Sequence, residues 1–224
     1  MHFDFHYFFE LLLSRQFFEP AWIAVWITVL AMVCGILIGT VAGLGAESRY
    51  APIRMLVKAY LLIFRGTPVL VQVIFWYDAL PEVTNNAINL SPIAAGLVAL
   101  SVNEGAYMTE VVRSALASVD RGQREAAAAL GLHSHTTFFR VIAPQAMRVA
   151  LPPTGNQIIS LLKNTSLLFT IAVTEIFATG TNIYSVNFKY FEVLAVVSVW
   201  YVGLSALYGQ IQKRVERSVS KGSA

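Results

Sequence analysis

The chain has 224 residues, 56% of them apolar and 13% charged, where ordinary soluble domains hold roughly 45–50% and about 25%. So much apolar surface cannot be hidden in water by a unit of this size, and a mean hydropathy of +0.61 makes a bilayer the solvent, excluding a disordered chain, a coiled coil or a disulfide scaffold. The net charge of +3 would suit a nucleic-acid binder only if the basic residues clustered on one soluble face, and the single Cys34 excludes an internal disulfide.

Residues 1–20 hold Asp4, Glu10 and Glu19 against one basic residue, Arg15, and lack the positive start of a secretory signal, so the first apolar run is expected to be retained. Phe3, Phe5, Tyr7, Phe8, Phe9, Phe17 and Phe18 mark residues 1–21 as an aromatic segment at the outer membrane interface. Five runs then reach the ~20 residues that cross the hydrocarbon: 22–45, 56–80, 92–117, 155–178 and 190–211. They must be helical, because lipid offers the backbone no hydrogen-bond partners. The expectation is an all-α membrane protein with five transmembrane helices over residues 22–211 and a tail at 212–224.

With the N-terminus outside, Arg49, Arg54, Lys58, Arg121, Arg124, Arg140, Arg148, Lys213, Arg214, Arg217 and Lys221 lie inside, 11 of 16 Lys and Arg, while Arg15 and Lys189 lie outside. This asymmetry puts the C-terminus in the cytoplasm and accounts for the basic charge without nucleic acid.

Polar groups inside the runs are expensive and mark function or pairing. In the second run Arg65, Gln72 and Trp76 share a face of a continuous helix, and Gly66 with Pro68 should bend it, as at sites bordered by broken helices; a simple proline kink with a snorkelling arginine is the alternative. In the third, Asn103, Tyr107 and Glu110 recur at i, i+4 and i+7, with Glu104 one step round, and can line a cavity; the alternatives are a Glu110–Arg113 pair and an interhelical bond from Asn103. Residues 118–154 form a long inner connection with a helix over 123–130, Gly131 at its end, an apolar turn at 136–142, and Pro152-Pro153 punctuating the start of the fourth run. That run carries a stripe of Asn156, Ser160, Lys163, Thr170 and Thr174, facing a path or a sister subunit, with Lys163 near the cytoplasmic end. His133 and His135 make no metal site, no catalytic triad is visible, and no Gly-x-x-x-x-Gly-Lys-Ser/Thr motif exists to bind ATP.

Glu125-Ala126-Ala127, three residues, Gly131, nine residues, then Val141-Ile142-Ala143-Pro144 resembles the cytoplasmic loop motif of ABC importer permeases, with Val141 and Ala143 as its apolar departures. Arg65-Gly66-Thr67-Pro68, Gly105-Ala106-Tyr107 with Glu110 and Arg113, Arg121-Gly122-Gln123, Pro144-Gln145-Ala146 and Lys163-Asn164-Thr165-Ser166-Leu167 resemble the polar amino-acid uptake branch, which usually has Asp at the position of Asn164. The resemblance implies a type I importer permease in a bacterial inner membrane, acting with a second permease subunit, identical or homologous, a cytoplasmic ATPase dimer that binds ATP and Mg, and a periplasmic amino-acid-binding protein. It further implies ATPase coupling through Glu125, Ala126, Ala127, Gly131 and Pro144; Asn103, Glu104, Tyr107, Glu110, Asn156, Ser160, Arg65 and Gln72 are the candidate substrate path, with no metal or cofactor in this chain. Two glutamates at depth suit a basic or zwitterionic solute better than an acidic one. An ion-coupled secondary transporter using Glu104 and Glu110 is the rival, weakened by the absence of an inverted repeat; a membrane-embedded enzyme is the third, weakened by the missing catalytic constellation.

Overall fold

A computed structural model describes residues 3–220, which are helical with no strand among them; Lys221, counted above among the inner basic residues, lies outside the described part. The chain opens with α1 (Phe5–Leu12), capped by the Asp4 carboxylate on the Tyr7 N–H. A 3-10 turn at Arg15–Phe17 leads into α2 (Phe18–Ala46). Then follow α3 (Ala51–Gly66), α4 (Val69–Ile74), α5 (Leu80–Val83) and α6 (Pro92–Ala117). Beyond α6 lie the short α7 (Arg121–Ala129) and α8 (Ser134–Thr137), then α9 (Ala143–Asn164), α10 (Ile176–Asn187) and α11 (Tyr190–Ser220).

Among the described residues, two stretches are straight, long and apolar enough to cross a membrane alone, Arg15–Ala46 and Tyr190–Ser218. The second and fourth expected runs are broken pairs instead. Ala51–Gly66 and Val69–Val83 meet at 106°, and Ser134–Ile171 meets Ile176–Asn187 at 50°. The first break follows from Pro68, which has no N–H to continue the helix and drives Thr67 into extended backbone. α6 matches the third run and interrupts its apolar surface with Glu104, Glu110 and Arg113.

Several sequence expectations are corrected here. The shared face of Arg65, Gln72 and Trp76 does not exist, because the helix turns between the first and the other two. α9 begins at Ala143, so Pro152 and Pro153 lie inside it rather than at its start. Lys163 is therefore 20 residues into the helix, about 30 Å from its start. After Asn164 the chain tightens into a 3-10 turn, Thr165–Ile171, and Ala172 is left-handed, so Thr170 and Thr174 leave the stripe begun by Asn156 and Ser160. The expected outer connection at 179–189 is mostly α10.

Two wide π turns, Phe75–Ala79 and Phe138–Ile142, end two residues before Pro81 and Pro144. Each proline withdraws the N–H that an α-helix would give to the carbonyl four residues earlier, and the wider turn accommodates the gap.

The centre of the bundle is the α2–α6 contact. Gly35, Gly39 and Gly43 recur every fourth residue on α2, and a Cβ on Gly39 would collide with the Met108 side chain and with the α6 backbone. From the other side, a Cβ on Gly105 would meet Ile38 at 2.6 Å and the Tyr60 hydroxyl at 2.7 Å. Ile27, Ala31, Met32, Ala95, Ala99, Leu100 and Met108 continue this core outward from the glycines toward Leu161 and Leu168. A second core joins Phe17, Leu162, Ile176, Val193 and Val196, fastening α1 and α10 to α11. At the α1 end of this core Lys189 donates to Asp4 at 2.8 Å while its ammonium lies 4.2 Å from the Tyr7 ring centre. The Lys189 bond, then the Tyr7 N–H, hold the Asp4 carboxyl below its ordinary range, and the same bond raises Lys189.

Gly39→Leu should separate α2 from α6 and lower stability by about 1–3 kcal/mol or more, read as a fall in thermal midpoint of the detergent-purified protein. The same change at Gly66, which has open space around it, should be far milder.

Candidate functional site: a broken-helix polar cluster and a cytoplasmic helix pair

Breaking the helix at Thr67 frees carbonyls that lipid cannot satisfy, and two amide side chains take them. Gln72 Nε2 donates to Phe64 O at 3.0 Å, Thr67 O at 3.2 Å and Thr67 Oγ1 at 2.9 Å. Asn103 Nδ2, from α6, donates to the same Phe64 O at 2.8 Å and to Gln72 Oε1 at 3.1 Å. Both side chains are buried. Together they lock the α3–α4 corner onto α6.

Beside this lock a charged cluster opens to the surface. Arg113 donates to Glu110 Oε2 at 2.9 Å, Arg65 stands 3.6 Å from Glu110 Oε1, and the Arg65 guanidinium lies 5.6 Å from the Tyr107 ring centre. The side chains of Arg65, Arg113 and Glu110 are 44%, 49% and 26% exposed. The structure thus brings Arg65, Tyr107 and Glu110 together, with Asn103 and Gln72 behind them. Glu104 faces elsewhere: it is buried against Gly35, and its Oε1 has no hydrogen-bond partner among the described residues. Asn156 and Ser160 are exposed on α9.

Sequence reasoning missed two features. One is Glu175, fully buried, which caps α10 through the N–H groups of Phe177 and Ala178 at 3.0 and 2.8 Å and accepts from Tyr201 Oη at 2.5 Å. An acid inside an apolar run was the available signal. The other is the four-residue glycine spacing of α2, a known signature of close helix contact.

On the connection between α6 and α9, Asp120 caps α7 through the Gly122 N–H at 2.7 Å. At the other end the Gly131 N–H bonds Ala128 O at 2.9 Å and the Leu132 N–H bonds Ala127 O at 3.0 Å, the two bonds of a Schellman turn. This turn needs the left-handed φ of +73° that Gly131 adopts. Ala127 packs inward, Glu125 and Ala126 face out, and Leu130 is 80% exposed. Ala115, Val119, Ile142 and Ala146 form a small core that joins the end of α6 and the turn after it to the start of α9. Gln145 ties α9 back to Gln123 of α7 at 3.2 Å.

Broken helices bearing a polar cluster, over a projecting helix with an apolar tip, define a membrane transport subunit. The family model for the binding-protein-dependent transport system inner membrane component matches residues 35–221, and the chain belongs to that family. Its members are the membrane permeases of ABC importers, with ATP hydrolysis on a separate subunit, and membership gives the ion-coupled rival no support. The chain is 38% identical over 199 residues to the probable amino-acid permease protein YxeN of Bacillus subtilis, covering 89% of each chain. It is equally identical over 199 residues to the glutamine transport system permease protein GlnP of Escherichia coli K12, covering 89% of this chain and 90% of that one. In structure it resembles an amino acid ABC transporter solved with histidines, at TM-score 0.84, 30% identity, 97% of this chain and 100% of the other. The inward-facing MetNI methionine transporter, 20% identical at TM-score 0.76 over 92% and 99%, shares the fold.

Either Gln72→Leu or Asn103→Leu should cost about 1–3 kcal/mol, because the partner amide and the freed carbonyls stay buried. The double replacement should cost less than the sum in a thermal-unfolding cycle, as expected for one network.

Proposed function

We propose that this permease subunit carries a polar amino acid into the cytoplasm of a bacterial cell across its inner membrane, powered by ATP and Mg bound on a partner ATPase dimer. The observation that carries the reading is the Schellman-ended helix α7: it projects between α6 and α9 with Glu125 and Leu130 exposed, in the spacing of the permease loop motif. The amino-acid class is supported by relatives whose names assign them amino-acid, glutamine and arginine transport.

In this reading residues 1–21 lie at the outer interface, 22–211 form the five-span permease unit, and 212–224 extend into the cytoplasm. The broken pairs α3–α5 and α9–α10 each count as one span beside α2, α6 and α11. Residues 118–154 form the coupling segment, with Glu125, Ala126, Ala127, Gly131 and Pro144 serving the coupling to the ATPase. A second permease, a copy or a relative, completes the path, and a periplasmic binding protein delivers the solute. Arg65, Tyr107, Glu110, Asn156 and Ser160 meet the solute; Asn103, Gln72 and Glu104 hold the elements that present them.

The mechanism follows from rigidity. α7 follows α6 after a three-residue turn, packs against the Phe138–Ile142 turn, and is tied to α9 by the Gln123–Gln145 bond. ATP-driven closure of the ATPase pair draws the two coupling helices together, and the attached spans rock from inward-open to outward-open. α6 carries the motion directly, since Ala115 in the small core at its end and Glu110 at the cluster lie on one helix.

Purified alone, the chain should show no ATP hydrolysis; with its ATPase it should copurify, and Glu125→Lys or Gly131→Arg should release the partner or uncouple hydrolysis from uptake. Hydrolysis by the chain alone would sink the reading. Cysteines placed at 85–89 should label from outside and at 123–133 from the cytoplasm of intact cells, and the reverse pattern would overturn the orientation.

A further inference from the structure

The cluster beside the α3–α4 corner has an imbalance of charge and of hydrogen bonds. Two guanidinium groups share one carboxylate, so it carries a net +1. Arg113 spends an N–H on Glu110 at 2.9 Å, whereas Arg65 approaches the other carboxylate oxygen only to 3.6 Å, beyond hydrogen-bond range. Among the described residues no hydrogen bond leaves the Arg65 guanidinium, which lies against the face of Tyr107. Its planar fork of five donors is half-exposed and committed to no protein acceptor among them.

The backbone beneath the guanidinium is fixed. Phe64 O just before Arg65, and Thr67 two residues after it, are bound by Gln72 and Asn103, so Arg65 is presented from a clamped corner rather than from a mobile helix end. A clamped, unspent arginine fork matches the planar, bidentate geometry of a carboxylate. Glu110 Oε1 lies 3.6 Å from the Arg65 guanidinium and accepts no hydrogen bond among the described residues, and the Tyr107 ring centre lies 5.6 Å from that guanidinium. A cation beside an anion and an aromatic face suits a zwitterion, carboxylate toward Arg65 and ammonium toward Glu110 and the ring.

Resting on the amino-acid permease reading above, we infer that Arg65 receives the α-carboxylate of the transported solute, while Arg113 serves to orient Glu110. Arg65 also pairs with Glu110 at 3.6 Å, while the hydrogen bond to Glu110 comes from Arg113, and the double variant below separates the two roles.

The test uses the complete transporter, with ATPase and binding protein, reconstituted in phosphatidylcholine vesicles with and without phosphatidylglycerol. ATP-driven uptake of radiolabelled L-glutamine, L-arginine and L-cystine is measured for the wild type, Arg65→Lys, Arg65→Gln and Arg65→Gln combined with Glu110→Gln. Copurification with the ATPase reports assembly of each variant. Losing a charge-assisted bidentate contact should slow uptake by Arg65→Gln roughly tenfold to a hundredfold. Arg65→Lys, keeping charge without the fork, should fall between it and the wild type, and the double variant should not recover.

Wild-type rates in an assembled Arg65→Gln transporter would overturn the inference alone, as would recovery in the double variant, which would make Arg65 a partner of Glu110. Wild-type uptake that requires phosphatidylglycerol, with Arg65→Gln indifferent to it, would assign the fork to a lipid phosphate and overturn the inference as well. Failure of the wild type to move any of the three amino acids would overturn the amino-acid reading itself and this inference with it.

Discussion

The near-contact of two helix backbones at Gly39 and Met108 is the constraint on which the rest of the molecule depends. In lipid no hydrophobic force draws apolar helices together, so association rests on how closely their backbones can approach and how well side chains interlock. Glycine at every fourth position of α2 removes the Cβ atoms that would hold α6 away, and Gly105 does the same from α6. α6 is thereby fixed as the internal reference of the bundle. The α3–α4 corner is hung on it through Asn103, α9 packs along its length, and α7 grows from its foot.

With α6 held, the molecule can carry irregular backbone elsewhere. Pro68 breaks one helix and Ala172 adopts a left-handed conformation at the end of the 3-10 turn that follows α9. Each interruption leaves backbone polar groups without a partner in the helix. Each is repaired locally, by Gln72 and Asn103 at the first and by the Glu175 carboxylate capping α10 at the second. The repairs are rigid, so the breaks act as shaped corners and not as loose hinges. The charged cluster of Arg65, Glu110 and Arg113 sits against the first of them, where a bent backbone lets a long side chain turn away from lipid.

The short helices between α6 and α9 follow another logic. α7 is short, alanine-rich and capped at both ends by local bonds, so its shape requires little from the bundle. What the bundle contributes is its seat: the Phe138–Ile142 turn packs against it and Gln145 of α9 bonds its Gln123. A force applied to α7 therefore reaches α9 through these contacts and α6 through the short turn that joins them. This is the arrangement a permease needs when its energy comes from another subunit.

Much of this was legible in the residues. Apolar runs of sufficient length, basic asymmetry and the ban on unpaired backbone in lipid determine an all-helical membrane chain, and the extent of α6 follows from them to the residue. The end of α7 at Gly131 was equally legible, because a Schellman turn depends on one glycine and its immediate neighbours. Hydropathy could not reveal that two of the runs are bent pairs, since a window average is blind to whether Pro68 or Ala172 redirects the chain. Nor could helical spacing assign Glu104 and Glu110 to their surroundings. They lie six residues apart on α6, yet one is pressed against Gly35 of α2 and the other opens beside Arg65 of α3. Local pattern determines which residues can form a helix and where it can end. Which face is buried depends on which helices lie on either side, and only the packing of distant segments, set here by glycine contact and by amide side chains reaching across a broken helix, decides that.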